Sequence, residues 1–146
     1  MRVDNWTKVL NESLAEAEKI DFSWGEFDCF YWTDWVVTKL TGEETMKDFF
    51  AKRGFTPKSR PYMSTKGMQR LTKKLDCKNF FELICEMYGP PISPKKAQRG
   101  DLVMVKLPDI FMPTLGVCRG IDVMFKTREE NVYVPVTKCQ YAWRVE

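Results

Sequence analysis

The run Gly89-Pro90-Pro91-Ile92-Ser93-Pro94 divides this chain into two kinds of sequence. Proline fixes φ and has no amide hydrogen, so neither a helix nor a central strand continues through such a run. Before it, apolar residues recur at helical spacing. After Gly100 come short β-rich runs, DLVMVKL, LGVCRG, DVMFKT, NVYVPV and YAWRVE, separated by turn clusters such as Gly120-Ile121-Asp122 and Glu129-Glu130-Asn131. Helices followed by a meander of about five antiparallel strands define an α+β domain. At 146 residues the chain is read as one domain with a substantial core.

The helical half resolves further. Asp4 is placed to cap a first helix whose stripe is Trp6, Val9, Leu10, Leu14 and Ala17, ending near Ile20. A second helix is predicted from Asp28 or Cys29 to about Leu40, stopped by Gly42, with Cys29, Trp32, Val36 and Leu40 on its buried face. Residues 43–63, rich in Pro and Lys, read as irregular. Ser64 then caps a basic helix over 65–75, and Asn79 starts another that runs to about Met87.

Composition narrows the function classes. No apolar run reaches the roughly 18–20 residues a bilayer span requires, and the first twenty residues have neither an apolar h-region nor a small-residue cleavage site. The chain is therefore expected to be made in a cytoplasm. Five cysteines, an odd number without a CxxC pair, and the absence of histidine argue against a disulfide framework, a structural zinc site and any metal or cofactor. The thiols read as reduced and mostly buried. Charge is distributed unevenly: residues 1–46 carry ten acids and four bases, whereas residues 47–78 carry ten bases and two acids. Such polarity suits an oriented contact, and it equally describes a solvated basic helix and loop.

Chemistry concentrates in FSWGEFDCFYWTDWV, residues 22–36, where an aromatic-rich turn leads through Asp28-Cys29 into the second helix. Together with RGDLVMV and LGVCRG further on, this order of motifs resembles the NlpC-type branch of the papain-like cysteine peptidases, which cleave peptide bonds in bacterial cell walls. More narrowly, WGEFDC, LGVC-x-G and the closing AWRV resemble phage and prophage tail-associated relatives. The likeness spans roughly residues 6–146 and leaves 43–95 unmatched, as a variable basic insertion that is part helical and part irregular. It implies a papain-like fold, N-terminal helices packed on an antiparallel sheet or half-barrel. It further implies that Cys29 stands at the nucleophile position, with Gly100, Asp101 and Gly116 on the strand motifs. Thr114 then stands where the family has its histidine base, and Lys126 at the third polar position.

Those replacements decide what Cys29 can do. A thiol attacks as thiolate, so its free pKa near 8.5 must be lowered. A helix start helps, but Asp28 and Glu26 push the other way. A threonine hydroxyl does not titrate near neutrality, and a lysine does so only when burial depresses it by several units. Cys29 is accordingly read as structural or vestigial, Asp28 as a helix cap, and Arg99-Gly100-Asp101 as a turn into a strand. Trp24 and Phe27, just ahead of the helix, are candidates to line a groove. Three functions compete. The resemblance favours a virion or tail component, docking on other tail proteins as a ring or multimer after synthesis in a host cytoplasm. A working hydrolase would need Lys126 or another subunit as base. A nucleic-acid-binding accessory would use Lys66, Arg70, Lys73 and Lys74, which share one side of the basic helix.

Overall fold

The computed structural model describes residues 1–57, 59–107 and 112–146. Five helices precede the strands: α1 (Trp6–Lys19), α2 (Cys29–Thr41), α3 (Thr45–Lys52), α4 (Thr65–Lys74) and α5 (Phe80–Tyr88). The strands are β1 (Leu102–Val105), β2 (Thr114–Cys118), β3 (Asp122–Lys126), β4 (Asn131–Pro135) and β5 (Tyr141–Trp143). The chain is α+β, as its halves require. Between them, Pro94–Lys96 forms one 3-10 turn.

Local chemistry sets most helix limits. Asp28, Ser64 and Asn79 each accept a backbone N–H in the first turn of α2, α4 and α5, satisfying donors that a helix start leaves open. Gly42 ends α2 in the left-handed region. Two expectations need correcting. The residue capping α1 is Asn5, not Asp4, and it makes no side-chain cap bond. Residues 43–63 are not wholly irregular, because α3 lies within them and buries Met46, Phe49 and Phe50. Its N-terminus is served from a distance, with Asp34 on α2 accepting the Met46 N–H at 3.3 Å.

The sheet order is β4-β3-β2-β1-β5, with every neighbouring pair antiparallel. Only β1 to β4 form the meander; β5 returns to the far edge and pairs with β1, Leu102 opposite Trp143. Alternation along the strands divides the apolar residues between two faces. Leu102, Met104, Leu115, Val117, Met124 and Trp143 join the helices' core around Trp32, Val36 and Leu40. Val103, Val105, Cys118, Val123, Phe125 and Ala142 form a second cluster on the other face, against Ile92, Ala97 and Val136. The segment 43–95 is not an appendage to this core, since Met46, Phe50, Leu71, Leu75 and Leu83 pack in the same cluster as Trp32.

One polar clasp ties residues far apart in the chain. Arg2 donates to Val145 O at 2.8 Å and to Arg99 O at 2.7 Å, and pairs with Asp101 at 3.0 Å. Asp101, fully buried, also accepts the backbone N–H groups of Val145 and Gln98. The Arg99-Gly100-Asp101 turn therefore opens β1 as expected and anchors both ends of the described chain.

Candidate functional site

The head of α2 is built by the turn before it. Phe27 N and Glu26 N both donate to Ser23 O. Gly25 takes the left-handed conformation, φ +73°, and a Cβ there would run into the Tyr62 carbonyl, so only glycine fits. That conformation turns the Gly25 N–H onto Asp28 Oδ2 at 2.9 Å, while Oδ1 accepts from Phe30 N and Tyr31 N, each at 3.0 Å. Asp28 is 1% exposed. Its charge is thus stabilised by three backbone dipoles, without a side-chain cation in an ion pair among the described residues.

A cleft of about 310 Å³ opens beside this helix start. It brings Cys29 together with Thr114 at the start of β2 and Lys126 at the end of β3; its walls include Trp24, Tyr62 and Met68, and Arg128 and Glu129 stand on its rim beyond β3. Gly116 allows β2 and β3 to lie this close, because a Cβ there would meet Met124 O and the Phe125 ring. Three residues that sequence reasoning placed at one site therefore share one cavity. Phe27, expected to line the groove with Trp24, instead stacks edge-on against Trp35 at 5.7 Å and lies beneath the Lys126 ammonium.

The electrostatics oppose thiolate chemistry. Burial, and after it the Asp28 charge, push the Cys29 thiol up to about 12, and contacts with Leu115 and the Thr114 hydroxyl offset only part of this. Glu26, expected to add to the effect, is engaged by Arg60 at 3.0 Å. Lys126 is 3% exposed and donates from Nζ to Ile20 O and Asn131 Oδ1, both at 2.7 Å. Burial lowers its pKa, while Asp21 and Glu18 hold it up. An ammonium already spent on two acceptors is a tether between α1 and β3, not a free base.

Tyr62 is the most buried polar group among the lining residues that sequence reasoning missed. It lies in the stretch read as irregular, where no periodicity marks it. Its ring is 4% exposed and faces the cleft, yet its hydroxyl has no hydrogen-bond partner among the described residues. Burial and the neighbouring Asp28 charge push its pKa well above the tyrosine range. The thiols are less buried than expected: all five cysteines are free, with Cys77 and Cys118 buried and Cys29, Cys85 and Cys139 half-buried. Among the described residues no group of three or more Cys, Asp or Glu side chains is placed to hold a metal ion.

Lys66, Arg70, Lys73 and Lys74 lie elsewhere, exposed along α4. Opposite them Met68, Leu71 and Thr72 are buried, so the helix is amphipathic as its sequence requires. The described residues contain no helix long and apolar enough to cross a membrane.

What these features define is an α+β chain with a cysteine at a helix head, facing the ends of two strands. Residues 1–145 match the family described as "Domain of unknown function (DUF6950)", and the chain belongs to that family. Comparison with curated proteins and with solved structures gave no match.

Proposed function

We propose that this chain is a non-hydrolytic docking protein on an NlpC-like frame, a component of a phage virion or tail that uses the Cys29 cleft for recognition. The observation that carries the reading is the set of groups around the sulfur. Cys29, Thr114 and Lys126 share one cavity; neither the thiol nor the hydroxyl exchanges a proton near neutrality, and the lysine ammonium is committed to two oxygen acceptors. Peptide hydrolysis needs a group that takes the thiol proton and returns it to the leaving amine, a role worth roughly 10²–10⁴ in rate. Here the thiol is protonated, the residue across from it is a hydroxyl, and the lysine is tied to backbone and amide oxygens. What persists is a shaped, aromatic-walled cleft.

The assignment to a virion rests on the resemblance to phage tail-associated relatives, and mass spectrometry of purified particles tests it. Recovery of the chain in stoichiometric amount supports it; absence from mature particles removes it. Incubation with muropeptides tests the non-hydrolytic half, the expected result being no product from either the wild type or Cys29→Ala. Product from the wild type alone would replace this reading with that of a cysteine hydrolase.

A further inference from the structure

Some cations of this molecule are neutralised by a neighbour and others are not. Arg2, Arg53, Arg60, Arg119 and Arg144 each form an ion pair, and Lys126 is tethered inside. By contrast Lys66, Arg70, Lys73, Lys74 and Lys78 are all exposed, and none forms an ion pair among the described residues. Four of them, at i, i+4, i+7 and i+8, make one stripe on α4, about 12 Å long at 1.5 Å per residue. Lys78 extends it around the turn into α5. The acids on this stretch are Asp76 and Glu82, so five positive charges face two negative ones.

This stripe borders a cavity. A cleft of about 390 Å³, adjoining that of Cys29 at Met112 and Pro113, is lined by Gln69, Lys73, Lys78, Asn79 and Phe81 among others. Phe81 begins an aromatic array: its ring centroid is 4.4 Å from that of Tyr141 on the edge strand β5 and 6.0 Å from that of Trp143. Trp143 is buried, and its indole N–H donates to Gly89 O at 3.0 Å. Tyr141 is 41% exposed. A rigidly backed aromatic face therefore stands beside unneutralised cations and neutral amide side chains.

We propose that this face binds single-stranded nucleic acid. Phosphates would follow Lys66, Arg70, Lys73, Lys74 and Lys78, and a base would stack on Tyr141 and Phe81. An acidic protein surface would satisfy the cations but makes no use of the exposed Tyr141 ring. A duplex keeps its bases stacked internally and presents none to a ring. Sequence-tolerant stacking beside a basic track is the chemistry of single-strand recognition.

Fluorescence anisotropy of the full chain with a labelled oligothymidylate of about 15 nucleotides, starting at about 50 mM salt, tests this. Three to five phosphate contacts give a slope of log K against log salt between about −2 and −3.5. The same strand in duplex form is expected to bind more weakly. K73E with K78E should weaken binding at least about tenfold and flatten the slope. Tyr141→Ala, at an exposed position, should cost about fivefold or more on the oligothymidylate and nothing on an abasic strand of equal length. Matching thermal melts establish that both variants are folded. Absence of binding at low salt overturns the proposal, as does a duplex bound equally well. Competition by polyglutamate at equal charge concentration, with Tyr141→Ala unaffected, assigns the face to an acidic protein instead.

Discussion

Asp28 and Asp101 are both buried carboxylates at the start of a regular element, and they are compensated in opposite ways. Asp101 meets a guanidinium at 3.0 Å and two backbone N–H groups, with Arg144 at 3.8 Å. Asp28 meets three backbone N–H groups and has no ion pair among the described residues. A cation cancels the field of a carboxylate at a distance, whereas amide dipoles stabilise the charge but leave its field in place. After burial, the field of Asp28 is the next largest cause raising the pKa of Cys29, Tyr31 and Tyr62, whereas that of Asp101 reaches Cys118 only behind burial and a Gly120 contact. The side of the molecule that carries Cys29 is thus the side whose buried carboxylate lacks a paired cation among the described residues. Asp34 extends the series: it accepts a single N–H, and burial pushes it up to about 6.

The comparison can be broken most forcefully at Asp101. Arg2→Ala leaves the buried Asp101 with two amides and only the longer Arg144 pair, and is expected to destabilise the fold by about 3 kcal/mol in chemical denaturation. A loss below about 1 kcal/mol would mean that the amides suffice, as they do at Asp28. Asp34→Asn comes next. With a folded pKa of about 6 against about 3.9 unfolded, the native state holds more protons between these values. Stability therefore falls as pH rises through that window. The amide keeps an acceptor for Met46 N and carries no charge, so the variant should gain about 2 kcal/mol at pH 7.5 and lose the pH dependence between about pH 4 and 6.

Asp28→Asn sharpens the contrast at the cleft. One oxygen still caps α2, but the amide nitrogen then faces the Gly25 N–H, at a cost of about 1–2 kcal/mol. With the charge removed, the Cys29 thiol should move down from about 12, and iodoacetamide labelling of Cys29 followed by mass spectrometry should quicken. An unchanged labelling rate would assign the whole shift to burial. The smallest effect is expected from Tyr62→Phe. Because the hydroxyl has no partner among the described residues, its removal should be neutral or stabilising by up to about 1 kcal/mol. A clear loss would reveal a bond from Tyr62 to Asp28.

What the sequence could reveal followed from how local the physics is. Asp28, Ser64 and Asn79 cap helices within three residues of themselves, so a linear reading finds them. The start of α3 is served by Asp34, twelve positions away, and short, uncapped TMKDFFAK gives no comparable signal. The five strands were legible from composition and turns, but nothing in their alternation says that β5 crosses to pair with β1. Thr114 and Lys126 were located only through a resemblance, because neither has an unusual local context. Tyr62 and Arg2 were not foreseen, since each owes its setting to residues more than thirty positions away.

The Arg2 clasp has a kinetic consequence. Its partners lie at separations of 97, 99 and 143 residues, and β1 gains its second neighbour only when residues 141–143 are in place. Contacts this remote form after the loops that separate them have closed, which slows folding relative to a chain of local contacts. While residues 1–100 emerge during synthesis, Asp101 and Val145 are not yet available to hold Arg2. The helices of the first half can pack on one another before then, but the faces that meet Leu102, Met104, Leu115 and Trp143 are covered only once the sheet is in place.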